Sequence, residues 1–174
     1  EYRPYIREGA LMWNKAFERI GFTNAIVVRQ QADNSDWDPA DARYSTIRWF
    51  QGADAGFAIG PSRANPFTGE IYDADIGFSE SMARYIRRFG EEFAGPISGS
   101  VPVAFEQPQM PKLAWTHNDR AACEYANGMI EQAAFGVAVL QARGALSKET
   151  EEKLMREYLV EVTAHEVGHT LGLQ

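Results

Sequence analysis

His165-Glu166-Val167-Gly168-His169-Thr170-Leu171-Gly172 stand close to the C-terminal end of a 174-residue chain. On an α-helix, positions i and i+4 lie on one face. His165 and His169 can therefore aim two imidazoles at one metal ion. Glu166 sits beside the first of them, where its carboxylate can act as general base toward a metal-bound water. Two histidines and a glutamate at this H-E-x-x-H spacing point to zinc, Zn2+, and to hydrolytic chemistry. The rest of the chain reads as the scaffold for this helix.

The surrounding residues agree that the motif is helical. Ser147 can cap the helix, and Glu149, Glu151 and Glu152 in its first turns suit the positive end of the helix dipole. Leu154, Tyr158 and Val162 run along one side and lead to His165 and His169. Gly168, between the histidines, leaves room for close packing. Gly172 falls three residues after His169, the place of the helix-ending turn in H-E-x-x-H-x-x-G-x-x-H. That turn would bring a residue at position 175 to the metal. The sequence stops at Gln174, so His165 and His169 are the two ligands expected within it. The third histidine, His117, lies among prolines beside Trp115 and reads first as an ordinary loop-anchoring side chain.

Upstream, helical and strand periods alternate. Ile6, Ala10, Trp13, Phe17 and Ile20 recur at three and four residues, which predicts a helix over about 4–20 with Gly21 as its C-cap. Ala25-Ile26-Val27-Val28-Arg29 and Tyr44-Ser45-Thr46-Ile47-Arg48-Trp49-Phe50 read as strands. Between them, residues 31–42 carry Asp33, Asp36, Asp38 and Asp41. Their spacing does not match a calcium loop, and aspartate turn chemistry is the better default. In Ile71-Tyr72-Asp73-Ala74-Asp75-Ile76-Gly77-Phe78, the residues Ile71, Asp73, Asp75 and Gly77 share one face. That alternation predicts an edge strand with one wet side. Ser79 can cap a helix over about 80–89. Four prolines between 94 and 116 mark an irregular loop or insertion, assigned to 94–118. A helix of about 119–142 follows, ended by Arg143-Gly144.

Composition narrows the function classes. The length suits one domain with a real core. No run approaches the roughly 18 apolar residues of a membrane helix. A net charge of −7 and scattered basic residues argue against nucleic acid as a partner. The single cysteine, Cys123, excludes an internal disulfide and reads as a small buried residue.

The run His165 to Gly172 resembles the zinc signature of metzincin endopeptidases. Trp13-Asn14-Lys15-Ala16-Phe17, the stretch from Asp38 to Trp49, and Gly60-Pro61-Ser62 with Asn65 to Ile71 extend the likeness. Together they look like the catalytic domain of large bacterial zinc-dependent metalloproteases, over residues 2–93 and about 119–174. The resemblance implies an α/β (α+β) fold, with a twisted mixed sheet, a backing helix and an active-site helix. On that likeness, 1–174 is the N-terminal, upper part of one catalytic domain. The third ligand, the methionine-bearing turn and most of the lower subdomain would fall past Gln174. It further implies a peptide or protein substrate, pairing along an edge strand for which Ile71, Tyr72, Asp73, Ala74, Asp75 and Ile76 fit best, and an extracellular or periplasmic location. Two other readings stay open. One is a non-catalytic peptide-binding domain that kept the fold. The other is a zinc peptidase whose third ligand is a distant glutamate, which Gly172 disfavours.

Overall fold

The computed structural model describes residues 1–51, 58–93 and 125–173. It is an α+β protein whose residues divide into two compact units. One comprises Glu1–Arg48, Ala58–Gly77 and Leu159–Gln174; the other comprises Trp49–Phe57 and Phe78–Tyr158. Among the described residues five helices and four strands form.

In the first unit, α1 (Arg3–Leu11) starts with Pro4 in its first turn, where a missing N–H costs no bond. The single helix expected over 4–20 is two, because α2 (Asn14–Arg19) begins after a tightened turn at Met12-Trp13. There the amides of Lys15 and Ala16 reach back only three residues, to the carbonyls of Met12 and Trp13 at 3.2 and 3.0 Å. Gly21 ends α2 as expected, with Phe22 N–H bonded to Phe17 O at 3.0 Å. Ile20, read as a core residue, is exposed.

No strand forms at 25–29. The amide of Asn14 takes the place of a neighbouring strand: its Oδ1 accepts from Ile26 N–H at 2.8 Å and its Nδ2 donates to Ile26 O at 2.9 Å. Arg7 donates to Val28 O at 2.8 Å. β-Branched composition was real, but side chains from the preceding helices satisfied the backbone instead. The aspartates of 31–42 do build turns: Asp38 Oδ1 accepts from Ala40 N–H and Asp41 Oδ1 from Arg43 N–H.

The sheet holds β1 (Thr46–Phe50), β2 (Ala58–Ile59), β3 (Ser62–Ala64) and β4 (Ile71–Ser79). Its order is β1-β4-β2, and β3 pairs antiparallel with β4, with Ser62 opposite Ala74 and Arg63 opposite Asp73. This corrects the expectation for 71–78. β4 is an inner strand, not an edge, so Ile71 to Ile76 do not present an unpaired strand. Its supposed wet face is also wrong. Asp73 is buried and Asp75 half-buried, while Tyr72 of the other face is exposed. From Ile76 to Ser79 every residue is buried. A strand covered on both faces loses the polar alternation that an edge would keep.

In the second unit, Ser79 Oγ accepts from Ser81 N–H at 3.3 Å and caps α3 (Glu80–Phe93). α3 packs on α4 (Tyr125–Ala142). Met82, Ala83 and Ile86 of α3 and Ala126, Ala133, Ala134 and Val137 of α4 are buried. The alanines allow the close approach that the sequence suggested. The loop 94–118, His117, Cys123 and the expected start of α4 at 119 lie outside the described residues.

α5 (Lys148–Thr170) is closed at both ends. Ser147 Oγ accepts from Thr150 N–H at 3.2 Å, and Thr150 Oγ1 accepts from Ser147 N–H at 2.8 Å. This is a reciprocal capping box with threonine in the usual glutamate place. At the far end Gly172 adopts φ +89°, a conformation costly for any residue with a Cβ. Leu173 N–H then reaches Gly168 O, and Gly172 N–H reaches His169 O, both at 3.0 Å. That pair of bonds satisfies two carbonyls the helix would leave orphaned.

Candidate metal centre

The motif occupies the last turns of α5. Met155, Tyr158, Leu159, Val162, Thr163, Glu166, Val167 and Thr170 are buried. Their spacing of three and four is one continuous helical stripe. Glu166 therefore stands in a core position that the helix otherwise gives to apolar residues. It is fully buried, and neither carboxylate oxygen has a hydrogen-bond partner among the described residues. Burial pushes its carboxyl up to about 7, against the opposing pull of His169. A bare carboxylate here costs free energy, so its retention calls for a reason other than packing.

His165 and His169 lie on the shoulder of the same stripe, half-buried. Their rings are 4.5 Å apart, centroid to centroid, and meet edge to face at 86°. The i, i+4 spacing thus brings the two imidazoles together as expected. Burial, and secondarily His169, lower the pKa of His165, which favours the neutral ring a metal requires.

His169 carries a further device. Its Nδ1 lies 2.9 Å from Leu173 O. A carbonyl only accepts, so Nδ1 carries a proton, and in the neutral ring Nε2 is then the nitrogen with the lone pair. That Nε2 is buried with no hydrogen-bond partner among the described residues. The Gly172 turn is what returns the Leu173 carbonyl to the ring. Backbone acceptors on the far nitrogen commonly orient metal-binding histidines. The sequence assigned Gly172 to chain reversal alone; the sign of this second use was a glycine one residue before Leu173, the i+4 position of His169.

Gly60, between β2 and β3, lies against Glu166. A Cβ there would stand 2.5 Å from the Glu166 carbonyl oxygen and 3.2 Å from Oε2. No residue larger than glycine fits without displacing the Glu166 backbone.

The donor set fits a zinc ion in part. Two imidazoles, one with its tautomer held, and a nearby free carboxylate are the right chemistry. No group of three His, Cys, Asp or Glu side chains is gathered among the described residues. The β4 residues Ile71 to Ile76 lie in the sheet, where Asp75 is engaged with Thr46 and Arg48 and Asp73 with Arg63.

Comparison with known proteins finds one family for part of the chain. Residues 147–174, which hold the whole of α5 and its closing turn, match a family described as Met-zincin. The match marks a metzincin-type zinc metalloprotease region, and that family implies zinc binding in general. No curated protein and no solved structure matches the chain. No helix among the described residues is long and apolar enough to cross a membrane.

Proposed function

We propose that this chain carries the zinc-binding helix of an endopeptidase that hydrolyses internal peptide bonds. The observation that carries the reading is the fully buried, unpartnered Glu166 carboxylate beside the His165–His169 pair. His165 and His169 hold the metal, His169 through Nε2. Zinc, when bound, polarises the scissile carbonyl and makes water a nucleophile near neutral pH. Glu166 takes the proton from that water and passes it to the leaving amine. A carboxyl titrating near 7 is matched to both halves of the transfer. The water-poor setting that raises its pKa also strengthens its action on the reacting atoms. The third ligand expected at position 175, a peptide or protein substrate, and an extracellular or periplasmic location belong to the same proposal.

The test is Glu166→Gln in the whole protein. Peptidase activity is expected to fall by about 10²–10⁴-fold, the usual scale for a lost general base, with zinc content unchanged by metal analysis. Undiminished cleavage by the variant would remove Glu166 from the reaction. Loss of zinc along with activity would instead make it a ligand or a structural residue.

A further inference from the structure

Trp13 lies 151 residues before Ala164, yet the two are joined. Its indole Nε1–H donates to the Ala164 carbonyl at 2.7 Å. The same ring covers Gly168: a Cβ at Gly168 would stand 2.9 Å from Cζ2 and 3.6 Å from Cη2. Ala164 directly precedes His165, and Gly168 directly precedes His169. One side chain therefore grips α5 twice, one residue before each metal ligand. A second contact stands one turn further back, where a Cβ at Gly9 of α1 would collide with the Val160 carbonyl and approach Thr163 Cβ to 2.7 Å. Backbone lies on backbone there, which sets how close α1 comes.

From these contacts we infer that Trp13 is a positioning residue for the zinc site, fixing the rotation and axial setting of the last turns of α5. The hydrogen bond supplies what packing alone lacks. In a helix the Ala164 carbonyl also accepts from the Gly168 amide, so the indole adds a second donor to one carbonyl. A donor inserted beside the helical ladder is a recognised cause of local helix bending. The carbonyl that takes both donors directly precedes His165. Rotation of this segment moves both imidazoles together, and a metal site tolerates only small errors in ligand direction. The position of Trp13 suits the task. It stands in the tightened turn between α1 and α2, where it is half-buried.

The inference rests on His165 and His169 binding the metal, and the experiment separates the two. Zinc affinity and the visible spectrum of the cobalt(II)-substituted whole protein are measured for the native chain, Trp13→Phe, Gly168→Ala and the double variant. Trp13→Phe removes the indole donor together with the ring atoms Cζ2 and Cη2 that lie on Gly168. It is expected to weaken zinc binding about tenfold, the scale of a lost ligand-orienting partner, and to shift the cobalt bands. Gly168→Ala pushes the indole away and should show the same signature. In the double variant the smaller ring makes room for the methyl, so the two losses combine to less than their product. Unchanged affinity and spectrum in Trp13→Phe, with a lower melting temperature alone, would reduce Trp13 to a packing residue and overturn the inference. Should Trp13→Phe fail to fold, Gly168→Ala with unaltered affinity and spectrum overturns it equally. A native protein whose zinc survives loss of both His165 and His169 would sink the site itself.

Discussion

Two carboxylates of the first unit meet burial in opposite ways. Asp75 on β4 receives a 2.6 Å hydrogen bond from Thr46 Oγ1 and an ion pair from Arg48 at 3.4 Å. Glu166 on α5 is more deeply buried and has neither. Buried acids are normally satisfied, because an unpaired one pays the whole desolvation penalty. The partners of Asp75 join β1 to β4, which explains the residue as part of the sheet. Nothing in the packing explains Glu166. The contrast separates an acid that holds the fold from one the fold holds ready, and it does so without reference to the motif.

The largest effect expected from this contrast is a difference in pH dependence. An ordinary glutamate titrates at 4.5, and the Glu166 carboxyl at about 7 in the folded chain. Between those values the folded state binds more protons than the unfolded state, so stability falls as pH rises through the window and levels off above about 7. The difference amounts to roughly 3 kcal/mol. Metal-free Glu166→Gln should lose that slope and be more stable than the native chain at pH 8, as read by urea unfolding across pH 4–8. Parallel profiles for the two proteins would mean that Glu166 is not held bare.

Asp75→Ala should act with the opposite sign. It strips Thr46 and Arg48 of their shared acceptor and should cost about 1–2 kcal/mol at neutral pH, leaving zinc affinity as it was. Chemical denaturation and metal titration of one sample check both halves. A stabilised Asp75→Ala would erase the distinction drawn between the two acids.

The smallest effect concerns the turn behind His169. Gly172→Ala places a Cβ at φ +89° and should cost about 1 kcal/mol. The sharper readout is the His169 ring. NMR of its nitrogens should show Nδ1 protonated in the native chain and a mixture of tautomers in the variant, since the bond to Leu173 O depends on that turn. A single unchanged tautomer in Gly172→Ala would detach the turn from the His169 ring.

Much of α5 was legible before any coordinates. Ser147, the acidic first turn, the apolar spacing, the H-E-x-x-H pair and Gly172 all act within about a turn of themselves. Local signals of that kind do not need the rest of the fold. β4 was legible as a strand and misread in its surroundings. Alternation in Ile71 to Phe78 describes which residues share a face, whereas inner or edge position depends on strands distant in sequence. The segment 25–29 shows the same gap from the other side. Its residues favour a strand, but the Asn14 amide reached Ile26 first. Helix 4–20 broke where Trp13 turns toward α5, another cause lying far along the chain.

The sequence by itself determined helix α5, its caps and the placing of its two histidines and its glutamate, because caps, helical spacing and a left-handed glycine are set by nearest neighbours. Tertiary structure alone decided that Glu166 is bare while Asp75 is paired, that β4 lies inside the sheet, and that Trp13 grips the helix beside both histidines. Burial and hydrogen-bond satisfaction are properties of what surrounds a residue. In this chain the surroundings of residues 160–169 include positions 9, 13 and 60, which no local pattern around the motif could name.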